Sequence, residues 1–239
     1  GASNTTGAIF LGRQAGSGSD HVNASNFIGY QAGYQATDAG GSNFIGALAG
    51  AAASQASSSN FIGGNAGQNA TDASNSNFIG RNAGKDATTS TDANFFGSGA
   101  GQTATNAYHS NFLGPQAGSG AAQANNSNFM GYSTGENATN ASQSNFFGPN
   151  AGNGATNASY STFMGVQAGT TAVNAKNAVF IGNNAGYLDT VDNTTNTDDF
   201  SILIGNNTST GGFENSIALG SYAANTVSNQ FMIGSATRP

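Results

Sequence analysis

Residues 59–75 read S-N-F-I-G-G-N-A-G-Q-N-A-T-D-A-S-N, and close copies of this 17-residue repeat fill most of the chain. Gly stands two and six residues after the Phe of each repeat, and the residue before the second Gly is Ala except at Thr134. The Phe recurs every 17 residues without a slip, at Phe10, Phe27, Phe44, Phe61, Phe78, Phe95, Phe112, Phe129, Phe146, Phe163 and Phe180. Such regular spacing predicts a solenoid in which each repeat stacks on a copy of itself.

The consensus of the repeat, S-N-F-I-G-x-x-A-G-x-x-A-T-x-A-x-x, predicts a coil of short β-strands. Seventeen residues are too few for a pair of helices and too many for one strand, and short apolar runs bounded by Gly and Asn favour brief strands joined by tight bends. Each coil should add about 4.8 Å along an axis. The two Gly residues suit bends with positive φ, and the Asn before Phe, present from Asn26 to Asn145, should stack as a ladder of side-chain amides.

A second large apolar residue directly follows each Phe. These residues are Leu11, Ile28, Ile45, Ile62, Ile79, Phe96, Leu113, Met130, Phe147, Met164 and Ile181. Because adjacent residues of a strand point to opposite faces, one column can fill the coil while the other must face outward. A long outward apolar stripe is normally buried against another subunit, so the pattern predicts a solenoid that assembles with further copies of itself.

Composition excludes several classes of protein. The 239 residues include 36 Gly and no Cys or Trp, and only 7% are charged, which fits neither an average enzyme nor a disulfide scaffold. The five basic residues are scattered and the net charge is −6, so nucleic acid is not an expected partner. No apolar run is long enough to cross a bilayer, and membrane insertion by this segment is not expected.

The S-N-F-I-G-x-x-A-G motif, and above all residues 215–223 (N-S-I-A-L-G-S-Y-A), resembles the head repeats of YadA-type trimeric autotransporter adhesins. The resemblance covers nearly the whole chain and implies a left-handed parallel β-roll assembled as a homotrimer. The 17-residue repeat is longer than the roughly 14-residue coil of that family. Residues 228–235 (S-N-Q-F-M-I-G-S) are also similar to phage tail-fibre segments that precede a self-cleaving chaperone, which would make the chain part of a longer precursor.

Three regions follow from the spacing. Residues 1–186 hold eleven 17-residue β-roll repeats, residues 187–201 form an acidic insertion loop, and residues 202–239 form shorter, adhesin-like coils. In the last region the motifs ending at Gly205, Gly220 and Gly234 are 15 and then 14 residues apart.

Candidate binding residues are few, and none suggests catalysis. The acidic insertion offers oxygen ligands for Ca²⁺ at Asp189, Asp192, Asp198 and Asp199, although their spacing matches no known calcium loop. Tyrosines at variable outer positions, where glycans or proteins could bind, are Tyr30, Tyr34, Tyr108, Tyr132 and Tyr160. The two histidines, His21 and His109, occupy different positions of the repeat and form no catalytic or metal-ligand pattern, so no enzymatic activity and no cofactor are expected.

These observations predict a structural, non-enzymatic segment of a trimeric fibre or adhesin, extracellular on a cell surface or on a virion, which binds a host or surface receptor through multivalent contacts. One alternative is a subunit of an extracellular filament or sheath with the same fold. Another is ice binding, suggested by the column of Thr37, Thr71, Thr88, Thr105, Thr139 and Thr156, which Ser54, Ala122 and Val173 interrupt.

Overall fold

The computed structural model describes residues 1–191 and 200–235, and these residues form a parallel β-solenoid with coils of about 17 residues and no helix. They fall into two compact units, an N-terminal unit of Gly1–Gly120 and a C-terminal unit of Ala121–Pro239. The fold class predicted from the repeat, an all-β parallel solenoid, is confirmed.

The N-terminal unit contains one three-residue strand per coil. The strands are β1 (Ile9–Leu11), β2 (Asn26–Ile28), β3 (Asn43–Ile45), β4 (Asn60–Ile62), β5 (Asn77–Ile79), β6 (Asn94–Phe96) and β7 (Asn111–Leu113). Each pairs in parallel with the next, and equivalent residues face each other, as in the pairs Phe27–Phe44 and Ile28–Ile45.

The C-terminal unit begins with the same arrangement and then changes its spacing. Its strands are β8 (Asn128–Met130), β9 (Asn145–Phe147), β10 (Thr162–Met164), β11 (Ala178–Ile181), β12 (Ser201–Ile204), β13 (Ile217–Leu219) and β14 (Phe231–Ile233). All neighbours pair in parallel. Phe180 pairs with Leu203 across the acidic insertion, Leu203 pairs with Ala218, and Ala218 pairs with Met232.

The Phe column fills the inside of the coils. From Phe27 to Phe112 the rings are fully buried, and successive centroids lie 4.7–4.8 Å apart with interplanar angles of 3–6°. The predicted rise of about 4.8 Å per coil is therefore confirmed. Three small buried residues per coil, mostly Ala as in Ala32, Ala36 and Ala39, occupy much of the remaining interior. A core of one large ring and three methyl groups keeps the coil narrow.

The Ser before the Asn column also points inward, and its hydroxyl is fully bonded. The Oγ of Ser42 donates to the carbonyl oxygen of Ala56 at 2.7 Å and accepts from the backbone N–H of Ser59 at 3.1 Å. Equivalent bonds recur at Ser59 and Ser144. Buried hydroxyls of this kind are tolerated because both their donor and acceptor capacities are used.

Backbone hydrogen bonds connect each coil to both of its neighbours. The N–H of Gln31 donates to the carbonyl of Arg13 in the preceding coil, and the N–H of Gly33 donates to that of Ala49 in the following coil. These bonds continue through the bends, so each coil is hydrogen-bonded to its neighbours along most of its length and not only at its strand.

The bends place many residues besides the two Gly columns in the left-handed backbone conformation, with positive φ. In the coil of Phe78, the non-glycine residues Asn82, Asp86, Thr89 and Asp92 all have φ between 49° and 59°. Equivalent residues recur in most coils and are mainly Asn, Asp and Gln, of which Asn and Asp adopt this conformation at the smallest cost. The predicted positive φ at the Gly columns is confirmed, but the sequence did not predict the non-glycine positions with positive φ.

Candidate interaction surface

The residue after each Phe faces away from the core, as strand alternation predicts. Phe44 is fully buried, whereas Ile45 is 37% exposed, and Phe95 and Phe96 show the same contrast. We call these outward residues the outer column. It comprises Leu11, Ile28, Ile45, Ile62, Ile79, Phe96 and Leu113 in the N-terminal unit, and Met130, Phe147, Met164 and Ile181 in the C-terminal unit. The outer column places large apolar side chains at regular intervals on a solvent-facing surface.

A ladder of Asn side chains runs beside the outer column on the same face. In the N-terminal unit, each Nδ2 from Asn26 to Asn94 donates to the Oδ1 of the Asn in the next coil at 2.7–2.9 Å, ending at Asn111. In the C-terminal unit, Asn128 donates to Asn145 at 2.8 Å. The predicted amide ladder is confirmed. Because each amide uses a donor and an acceptor within the ladder, this half of the face is polar but largely self-satisfied.

The C-terminal unit loses this ladder after Asn145. The residue at the same position becomes Thr162 in β10, and then an apolar residue in each later strand: Val179, Ile202, Ile217 and Phe231. Two residues after each of these apolar residues, the outer column ends at Ile181 and continues in β12–β14 as Ile204, Leu219 and Ile233. The face of β11–β14 therefore carries two apolar columns, whose members in β11–β13 are half-buried except Ile204, which is 41% exposed. We call these eight side chains the apolar face.

The period of Phe does not reveal this change of column, because the core position of β12–β14 no longer carries Phe. Aligning the C-terminal coils on their Gly residues instead, at Gly182, Gly205, Gly220 and Gly234, places Val179, Ile202, Ile217 and Phe231 where Asn stands in earlier coils. The signal was present in the sequence, but only a comparison of equivalent strand positions makes it visible.

The candidate tyrosines lie at outer positions but do not share one column. Tyr30, Tyr132 and Tyr160 are about half exposed, and Tyr34 and Tyr108 are partly buried. Tyr30 and Tyr132 hold the same position of the repeat, although in different units, and the other three hold different positions. The guanidinium of Arg13 lies 6.0 Å from the Tyr30 ring centroid, so this ring already has a partner within the protein.

Asp189 is the one candidate calcium ligand that lies in the described part of the chain. Its side chain is buried at a place where preceding coils carry Ala, such as Ala172. Its two carboxylate oxygens accept from the backbone N–H of Thr210 at 2.6 Å and from the Thr210 hydroxyl at 2.8 Å. Asp189 therefore ties the last 17-residue coil to the first shorter one. The other candidates, Asp192, Asp198 and Asp199, lie outside the described residues.

Two other carboxylates, Asp20 and Asp86, lie at bends and are bonded by neighbouring coils. The Ser3 hydroxyl donates to Asp20 at 2.7 Å and, with Asn4 and His21, lowers the pKa of that carboxyl. Partial burial opposes ionisation of Asp86, but hydrogen bonds from Lys85 and Asn69 outweigh it and lower its pKa. No group of three or more His, Cys, Asp or Glu side chains in residues 1–191 and 200–235 could hold a metal ion.

The Thr column lies on a second side of the coil, where its residues form isolated parallel bridges. Thr71, Thr88 and Thr105 follow one another in the N-terminal unit, and Thr139 and Thr156 in the C-terminal unit. Each is followed by a residue with positive φ, such as Asp72 and Asn140. The backbone therefore turns immediately after the hydroxyl column.

No protein-family model matches the chain, and no curated protein is significantly similar to it. Among the described residues, no helix has the length and apolar character needed to span a bilayer. The functional reading therefore depends on the surfaces of the solenoid itself.

Proposed function

We propose that this chain is a structural, non-enzymatic segment of a homotrimeric fibre or adhesin, built as a left-handed β-roll and displayed outside a cell or on a virion. The observation that carries the proposal is the outer column. A large apolar side chain faces outward once per 17-residue coil, while the Phe column and small Ala and Ser residues fill the core. Leaving such a stripe in water is unfavourable at about 25 cal/mol per Å², and association of copies removes it.

The repeated coil suits a scaffold that displays binding elements on its surface. Successive coils are joined by backbone bonds on both sides, and the exposed bends vary in sequence more than the Phe core of the 17-residue coils. Three copies side by side would present each variable position three times, which converts weak contacts with a glycan or protein receptor into avidity. Exposed Tyr132 and Tyr160 are the side chains we would examine first for such contacts.

Native mass spectrometry and sedimentation of the purified chain over a range of concentrations test the proposal. We expect discrete trimers at micromolar concentration. A chain that stays monomeric at every concentration would refute the assembly, and growth into long polymers would favour the filament alternative. A screen of glycans and surface extracts against the trimer then tests adhesion separately.

A further inference from the structure

We infer that the apolar face of β11–β14 is the principal contact between copies of this chain, and that it holds the assembly together more strongly than the coils that carry the Asn ladder. This inference rests on the proposed function, because it locates the contact that the proposed assembly requires. Its partner is a second copy of the same chain, seated with equivalent coils side by side.

The first argument concerns the core of the shorter coils. The core residue changes from Phe180 in β11 to Leu203 in β12 and Ala218 in β13. In β13 the small Ala218 points inward while Ile217 and Leu219 point outward. These coils therefore carry most of their large apolar surface on the outside, and burial of that surface must come from elsewhere.

The second argument concerns charge. The outward positions of β11–β14 are filled by Val, Ile, Leu and Phe, and none of these eight side chains is charged. Charged groups normally set the register and choice of partner at a polar interface. A face without them offers no electrostatic complement to an acidic or basic partner, whereas an identical apolar face complements it fully.

The third argument concerns size and period. A three-residue strand spans about 10 Å. Four neighbouring strands therefore offer much less area than the roughly 800 Å² that each partner buries in a standard interface. A partner that follows the axis extends its contact onto the outer column at Met130, Phe147 and Met164. Phe rings in the same unit repeat every 4.6–4.8 Å, and another stack of coils has the side-chain period needed to interdigitate over that length.

The test compares two triple variants of the full chain. The first replaces Val179, Ile202 and Ile217 with Asn, the residue that earlier coils carry at this position. The matched control replaces Ile28, Ile45 and Ile62, in the outer column of the N-terminal unit, with Asn. A milder version, Val179→Thr with Ile202→Thr and Ile217→Thr, keeps β-branched side chains and copies Thr162 of β10, so it preserves the strands if the Asn variant fails to fold.

Sedimentation and native mass spectrometry measure dissociation, and circular dichroism confirms folding. We expect the C-terminal variant to raise the apparent dissociation constant of the trimer at least about 100-fold, and the control to raise it by clearly less. The inference is wrong if the unmodified chain forms trimers but the two variants weaken them equally, or if the C-terminal variant has no effect. The proposed function would still stand in that case. An unmodified chain that never associates would overturn both.

Discussion

The 17-residue coils and the shorter C-terminal coils solve the problem of apolar burial in different ways. In the longer coils a fully buried Phe stacks on its neighbours, and an Asn ladder occupies half of the outward face. In the shorter coils the core holds Leu203 or Ala218, and both outward positions are apolar. The longer coils therefore bury their largest apolar ring inside, whereas the shorter coils carry most of their large apolar side chains on the outward face.

The two kinds of coil differ most clearly at one bend. After the Ala that follows the first bend, the longer coils add a turn such as Gly84–Ala87 before the Thr bridge. In the shorter coils this turn is missing, since the N–H of Ser209, directly after Thr208, bonds to Ala223 of the next coil as Thr156 bonds to Ala172. The extra turn of the longer coils brings another Ala inside, such as Ala87, and places a Gly such as Gly84 against the Phe ring.

The largest expected effect is loss of a core ring. We predict that Phe78→Ala destabilises the protein by about 3–5 kcal/mol, because it removes a ring stacked on both sides and leaves a cavity. Leu203→Ala should cost about 2–3 kcal/mol, since the next coil already has Ala218 at this place. Ile79→Ala, on the same strand as Phe78 but facing outward, is the control. Urea denaturation measures all three, and equal losses for Phe78→Ala and Ile79→Ala would contradict the assignment of inside and outside.

The extra turn itself is the next target. A Cβ on Gly84 would lie 2.2 Å from a ring carbon of Phe78, and φ is +60° at this residue. We therefore expect Gly84→Ala to cost about 2–4 kcal/mol, the sum of overpacking and left-handed strain. Gly41→Ala has a similar φ but no atom closer than 3.7 Å, so it isolates the strain. If the two variants had the same melting temperature, contact with the Phe78 ring would not be the reason for Gly at position 84.

Asp189 marks the junction between the two kinds of coil. Asp189→Ala should cost about 1–3 kcal/mol, because the buried N–H of Thr210 loses its acceptor. Asp189→Asn retains an acceptor oxygen and should cost less. Thermal unfolding with added and with chelated Ca²⁺ separates this role from metal binding. A large stabilisation by Ca²⁺ that Asp189→Ala abolishes would show that the carboxylate is a ligand after all.

A smaller and opposite effect is expected at Thr103, in the extra turn of the coil of Phe95. Thr103 has φ of 55°, a strained conformation for a β-branched residue, while Asn69 and Asn137 hold the equivalent position elsewhere. Thr103→Asn should therefore stabilise the protein by about 0.5–1 kcal/mol. Thr105→Asn, at a bridge residue without positive φ, should not stabilise it, and stabilisation by both would point to side-chain hydrogen bonding in place of backbone strain.

The smallest effect concerns Asp86, also in an extra turn. Its pKa is lowered in the folded protein, so its contribution is present above the unfolded pKa of about 3.9 and is lost as the pH falls through the lower folded value. Because the side chain is partly exposed, we expect under about 0.5 kcal/mol. Stability curves of the unmodified chain and Asp86→Asn should converge in acid, and curves that stay parallel would exclude this contribution.

Much of this structure follows from the sequence. The period of Phe predicts the stacked coils, strand alternation predicts which of two neighbouring apolar residues faces outward, and the Asn column predicts the amide ladder. The left-handed bends at residues such as Asn82 and Asp86 were not predicted, because Asn and Asp also suit ordinary loops. The bonding of Asp189 to Thr210 depends on a long-range pairing across the insertion, which no local pattern specifies.

The most direct measurement uses the absence of cysteine in this chain. A single Cys replaces either Ile204, 41% exposed on the apolar face, or Val173, 37% exposed on another side of the coil, and the rate of thiol labelling is followed on dilution. We predict that Cys at position 204 is protected at high concentration and reacts faster as the assembly dissociates, while Cys at position 173 reacts at one rate throughout. Fast labelling of position 204 at every concentration would contradict the claim that copies of this chain cover the outward apolar residues.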